Sequence, residues 1–281
     1  MSLFGGLFNR MYYGNPNQPE LKKRDIENES RFKLFFTVLG IRFWPLILIN
    51  ILFTVFWAPF LYVSVVFTAN LETVMESIGP LLIIATMAVA LQFTGPVWAG
   101  AVYVIRHWAD DMHADTWSDL WLGVKKNWKS GVVLNLINGL VLIFLIVDVR
   151  FYFSGGMGMA NGGTILMGAM GWLMVICALV WFMMNMIMLP MAVRYDLKLR
   201  QVIKNSLLLA IAQLPRTLGA FILAGGLFIG LYFLFIMAPV INPLLLFPFI
   251  FFGLSFPLLI GCSYANFLFD KYMARSSGSS E

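Results

Sequence analysis

KKNWKSGVVLNLINGLVLIFLIVDVR, residues 125–150, opens on lysines, runs through an almost wholly apolar segment and closes on a single arginine. As an α-helix, Val132 to Val149 is about 27 Å long, close to the ~30 Å hydrocarbon core of a bilayer. The run lacks the alternation of a transmembrane strand, and lipid cannot satisfy bare backbone groups, so a helix is the required form. Five more runs of this kind flank it: Phe43 to Val65, Leu81 to Val104, Ile165 to Val193, Leu218 to Met237 and Leu244 to Phe267. The expected fold is therefore all-α, a polytopic membrane protein with six transmembrane helices.

The charges set an orientation. Of 19 lysines and arginines, 18 fall in four segments alternating with the apolar runs: Arg10 to Arg42, Arg106 to Lys129, Arg194 to Arg216 and Lys271 to Arg275. Only Arg150 lies elsewhere. Cytoplasmic loops retain Lys and Arg, so both termini are expected in the cytosol and the chain in the cytoplasmic membrane. Residues 1–40 read as a basic cytosolic tail, 41–270 as the transmembrane domain and 271–281 as a disordered cytosolic tail.

Composition points the same way: 60% of the 281 residues are apolar, the mean hydropathy is +0.83 and 12% are charged, about half the charged fraction of a soluble domain. The net charge of +5 does not point to nucleic acid, because the cations line membrane-flanking loops rather than a compact patch. The bilayer, with its anionic headgroups, is the expected counter-charge. The first apolar run is too long for a cleavable leader and should remain as an anchor. Cys177 and Cys262 lie inside spans and imply no disulfide.

Two basic segments read as amphipathic elbow helices on the cytosolic face. In the first, Trp117, Leu120, Trp121, Val124 and Trp128 share a face at helical spacing, opposed by Asp115, Ser118, Lys125, Lys126 and Lys129. Indoles favour the headgroup boundary, so this helix is expected to lie flat or pack beneath the bundle, with Trp117, Trp121, Trp128 and the adjoining lysines offering a docking surface. In the second, Leu199, Val202, Ile203 and Ala210 oppose Lys198, Arg200, Gln201 and Lys204. Arg106 with Gly139, and Arg194 with Gly226, mark matching positions of a parallel internal repeat.

Several prolines, Pro45, Pro59, Pro96, Pro190, Pro248 and Pro257, should bend the spans and free carbonyls. The G-x-x-x-G spacing of Gly226 and Gly230 predicts close approach of a neighbouring helix within the bundle. Within the spans the polar side chains are amides, Asn50, Gln92, Asn135, Asn138 and Asn185, with Asn266 near an inner end. They can line a cavity and bind hydroxyl groups, or clip helices together. Asp148 and Arg150 are expected to form a local ion pair at the outer mouth. No ionisable group sits in a span core, which disfavours proton- or ion-coupled transport.

The densest polar cluster is Arg106, His107, Asp110, Asp111, His113 and Asp115. Imidazole with carboxylate can ligate zinc or manganese. With two histidines in the chain and no H-E-x-x-H spacing, the better reading is a solvated helix start with acids near its N-terminus. No metal and no cofactor are expected. Nucleophile-elbow and P-loop motifs are absent, and nothing points to an enzyme.

Gly95, Pro96, Ala99, Gly100, Tyr103 and Arg106, then His113, Ala114, Trp117, Ser118 and Asp119, then Lys125 to Lys129, together resemble the YesL-like family of bacterial membrane proteins. The resemblance extends from about Phe36, through Asn50, to Lys271, Tyr272 and Met273. It implies a non-catalytic accessory or subunit for carbohydrate (oligosaccharide) uptake, with a sugar importer permease or its ATPase as partner, and it carries no site residues. An independent facilitator of a small neutral solute or lipid, or a scaffold, are the alternatives.

Overall fold

The computed structural model describes residues 31–69, 94–110, 112, 114–153, 164–195, 197–241 and 243–273, and every regular element among them is a helix. In chain order these are α1 (Arg31–Ile41), α2 (Phe43–Ala69), α3 (Gly95–Ala109), α4 (Ser118–Phe153), α5 (Thr164–Arg194), α6 (Leu199–Ala212), α7 (Leu214–Ile241), a 3-10 turn (Pro243–Leu245), α8 (Leu246–Phe252) and α9 (Ser255–Tyr272). Five stretches are long and apolar enough to cross a membrane: Phe43–Val63, Ser118–Phe153, Ile165–Arg194, Leu214–Ala238 and Leu246–Tyr272. The chain is a multi-pass helical membrane protein. Of the expected span Leu81 to Val104, only Thr94 to Val104 is described. The rest of it with Gln92, along with Glu72, Glu76, Asp111, His113 and both tails beyond 31 and 273, lies outside the described residues.

α3 and α4 form the tightest helix pair, and glycines make it so. A Cβ added at Gly95 would sit 2.8 Å from the Gly131 carbonyl oxygen, one at Gly123 2.6 Å from Tyr103 Cβ, and one at Gly131 inside contact distance of the Gly95 carbonyl. The helices therefore touch backbone to backbone, as small residues permit in lipid. Asn135 Nδ2 donates to Thr94 Oγ1 (3.0 Å) across the same seam.

This packing corrects the first elbow. Ser118 to Lys129 is not a separate helix lying flat but the first turns of α4, continuous with the span. Its buried positions are Leu120, Gly123 and Asn127, while Trp117 and Trp128 are exposed. The glycines let α3 approach that side, and the tryptophans are left on its flank. Trp108 is fully buried, donates Nε1–H to the Ala114 carbonyl (3.0 Å) and lies under the Arg42 guanidinium. Asp115 and Asp119 cap the start of α4, Asp115 Oδ2 accepting from Ser118 N (2.9 Å) and Asp119 Oδ2 from Asp115 N (2.7 Å). The second elbow is a helix of its own, α6, with Val202, Ser206, Leu209 and Ala210 buried.

Three further expectations change. Pro96 stands at the start of α3, where a missing donor costs nothing, so it bends no helix, whereas Pro45 follows the one-residue break at Arg42 between α1 and α2. Asp148 and Arg150 form no ion pair, since residues two apart on a helix do not face each other. The Gly226 and Gly230 faces meet no described atom within 4 Å, so among the described residues this spacing does not seat a neighbour inside the bundle. Gly226→Ala and Gly230→Ala should therefore leave the midpoint of denaturant unfolding unchanged or raise stability by up to about 1 kcal/mol, the ordinary helix preference for alanine.

The last span is interrupted at Gly253–Leu254, between α8 and α9, and one side chain from α2 repairs the break. Asn50 Nδ2 donates to the carbonyls of Phe249 (2.9 Å) and Ile250 (2.7 Å), and its Oδ1 accepts from the backbone N–H groups of Leu254 and Ser255, both at 2.7 Å. Pro257, which has no N–H, explains why the regular ladder fails here.

Candidate functional site

Between α2, α3, α4, α5, α7 and α9 lies a cavity of about 350 Å³. Three of the sequence-identified amides, Asn135, Asn138 and Asn185, line it. Asn50 does not; it is fully buried in the α8–α9 break. Asn135 and Asn138 come from one face of α4 because they are three residues apart, and α4 presents that face to the bundle through the glycine contact with α3.

Three tryptophans join them, Trp57 from α2, Trp98 from α3 and Trp181 from α5. The Trp57 and Trp98 rings lie 5.7 Å apart between centroids. Sequence reading passed over these residues as ordinary span content. Their signal was position: an indole in mid-span, away from the boundary layer it prefers, needs a reason for its N–H. Among the described residues, Trp57 Nε1, Trp181 Nε1 and Asn138 Oδ1 have no hydrogen-bond partner. Asn185 Nδ2 donates to the Trp181 carbonyl (3.2 Å), one turn back on α5. No described lining residue carries a charge. Pro190 and Pro257 stand in the wall, as does Leu254 at the helix break.

About one turn beyond Pro190 on α5 and Gly261 on α9, the cavity gives way to a polar network. Arg194 contacts Asp270 (3.3 Å), Asp110 (3.9 Å) and the Asn266 Oδ1 (3.4 Å). Asn266 is buried and donates Nδ2–H to the Arg106 carbonyl (3.0 Å). The two arginines that mark the repeat thus meet at one end of the bundle. Past the apolar run of α3, burial and then the charge of Arg194 lower Arg106 from the ordinary guanidinium value. Arg42 over Trp108 and Arg216 over Phe267 lie at the same end, so the basic segments separated in sequence converge there.

His107 is occupied by this neighbourhood. Its Nδ1–H donates to the Tyr103 carbonyl (2.6 Å), and Nε2 faces Arg106 Nη2 at 3.4 Å. Among the described residues, no group of three His, Cys, Asp or Glu side chains is arranged to hold a metal ion. Of the residues read as a docking surface, Lys125, Lys126, Lys129, Trp117 and Trp128 are exposed, whereas Trp121 is half-buried against Phe56.

Comparison of the chain with models of known protein families, with curated proteins and with solved structures finds no match.

Proposed function

We propose that this is a six-span protein of the cytoplasmic membrane, both termini cytosolic, which receives a neutral, hydroxylated, sugar-sized ligand in its central cavity as a non-catalytic component of carbohydrate uptake. The observation that carries the reading is the cavity wall, which brings together three tryptophans and three amides and, among its described residues, no charged side chain. Indole faces suit the C–H faces of a sugar ring, while side-chain amides suit its hydroxyls. The volume of about 350 Å³ sits at the small end of the ~300–1,000 Å³ range of ligand sites. An uncharged wall does not favour an ion or a proton as cargo. The resemblance to YesL-like proteins supports the carbohydrate setting, and gathering of the basic segments at one end supports the sidedness.

The test is titration of the purified protein in nanodiscs with neutral mono- and disaccharides, followed by tryptophan fluorescence. Saturable binding is expected, weakened about tenfold by Asn138→Leu or Asn185→Leu, the loss of one hydrogen bond to a buried hydroxyl. Absence of saturable binding across the panel would remove the reading. Sugar flux from liposomes holding this protein alone would instead identify an independent facilitator.

A further inference from the structure

α4 is longer than a membrane core is thick. Its 36 residues rise about 54 Å, against about 30 Å of hydrocarbon. At about 100° per residue, Val133, Leu136, Leu140, Phe144, Val147 and Phe151 fall on one face, and all are exposed. Apolar and uncovered, that face meets lipid tails over about 27 Å, nearly the full hydrocarbon depth. Followed toward the start of the helix, the same stripe carries Lys129, Lys126 and Lys125, each exposed. Lys129 lies about 6 Å beyond Val133 and Lys125 about 12 Å beyond it, the depth of the headgroup layer.

The lysines cannot turn inward, because Gly123, Asn127 and Gly131 give the other side of the helix to α3. No described carboxylate forms an ion pair with any of them. The exposed Trp128 stands beside them with the Lys129 ammonium 5.8 Å from its ring centroid. Because the stripe is continuous with the lipid-facing surface, these cations project sideways into the membrane plane. A soluble partner would approach from beyond the helix end.

We propose that Lys125, Lys126 and Lys129 form a binding site for the phosphodiester headgroup of anionic phospholipids in the leaflet at this end. The site is independent of any cavity ligand. Three cations at headgroup depth attract an anionic lipid electrostatically, and the lipid-facing apolar stripe above them receives its acyl chains.

The test uses the full chain reconstituted in phosphatidylcholine bilayers with spin-labelled phosphatidylglycerol or spin-labelled phosphatidylcholine, read by electron spin resonance. Phosphatidylglycerol is expected to associate about fivefold more strongly at low salt, with the preference shrinking toward unity near 1 M salt. The combined Lys125→Gln, Lys126→Gln, Lys129→Gln variant should lose the preference, and the matching triple arginine variant should keep it. Equal association of the two lipids with the native protein would overturn the proposal, as would unchanged selectivity in a folded triple glutamine variant. Displacement of the lipid by millimolar inorganic phosphate would overturn it in favour of a free-phosphate site. Retained selectivity, with loss of a co-purifying cytosolic protein, would assign the lysines to protein docking instead.

Discussion

Asn50→Ala is expected to cost this protein about 3 kcal/mol or more of stability, read as a shifted midpoint in denaturant titration of the purified protein in mixed micelles. An average interhelical polar contact in a membrane contributes only about 0.6 kcal/mol, because the separated helices find other partners. Asn50 differs in number and kind. It serves two backbone carbonyls and two backbone N–H groups at once at the Gly253–Leu254 interruption; the Phe249 carbonyl also accepts from Gly253 N–H, so loss of the amide leaves the Ile250 carbonyl and the Leu254 and Ser255 N–H groups without this partner. Each orphaned buried group carries a penalty of about 1–3 kcal/mol, so even partial relaxation leaves a large total. Asn50→Asp is expected to be nearly as damaging, since a carboxylate keeps the acceptor but loses both donors. A change below about 1 kcal/mol in Asn50→Ala would show that α8 and α9 close their own break.

Asn50 also shows where sequence reading stops. The apolar runs, their number of residues and the clustering of Lys and Arg follow from the chain's solvent, so spans and basic segments are legible in one dimension. Which amide meets which backbone is set by where helices are interrupted, and Asn50 reaches its partners 199 to 205 positions away. Asn135 and Asn138 were legible as a pair because helical periodicity put them on one face; that Asn185 and three tryptophans complete the same wall depends on how α5 packs. The small-residue reading failed for a related reason. Gly226 and Gly230 have the spacing of a packing motif, yet spacing alone does not say which face of α7 turns inward. Gly95 and Gly100 on α3 and Gly123 and Gly131 on α4 make no G-x-x-x-G within either helix, yet their faces meet. The first elbow was misread as a helix of its own because its tryptophans and lysines set it apart from the apolar run, whereas the backbone continues unbroken into the span and the absence of a side chain at Gly123 decides where α3 lies.

That contact bears on both stability and the site, and Gly131→Ala is expected to show it. Alanine in a helix normally gains about 0.5–1 kcal/mol over glycine. Here the new methyl would fall within contact distance of the Gly95 carbonyl oxygen and 3.1 Å from Ala99 Cβ, and Gly95 reciprocates at 2.8 Å. The obstacle is backbone, which cannot swing aside as a long side chain would, so α3 and α4 must part. Overpacking of this kind costs about 1–3 kcal/mol, and the upper end applies, leaving a net loss of about 2 kcal/mol in the same unfolding titration. Separation would also weaken the Asn135 to Thr94 hydrogen bond that crosses the seam. Because Gly95, Gly131, Trp98 and Asn135 all belong to the cavity wall, displacement of α3 would move the Trp98 ring away from the amides of α4. Sugar affinity should then fall about tenfold or more in Gly131→Ala, while Gly226→Ala, equally glycine to alanine and equally helical, should bind as the native chain does. Equal behaviour of the two variants in both measurements would mean that α3 and α4 are not in backbone contact, and the cavity would lose the wall on which its ligand reading depends.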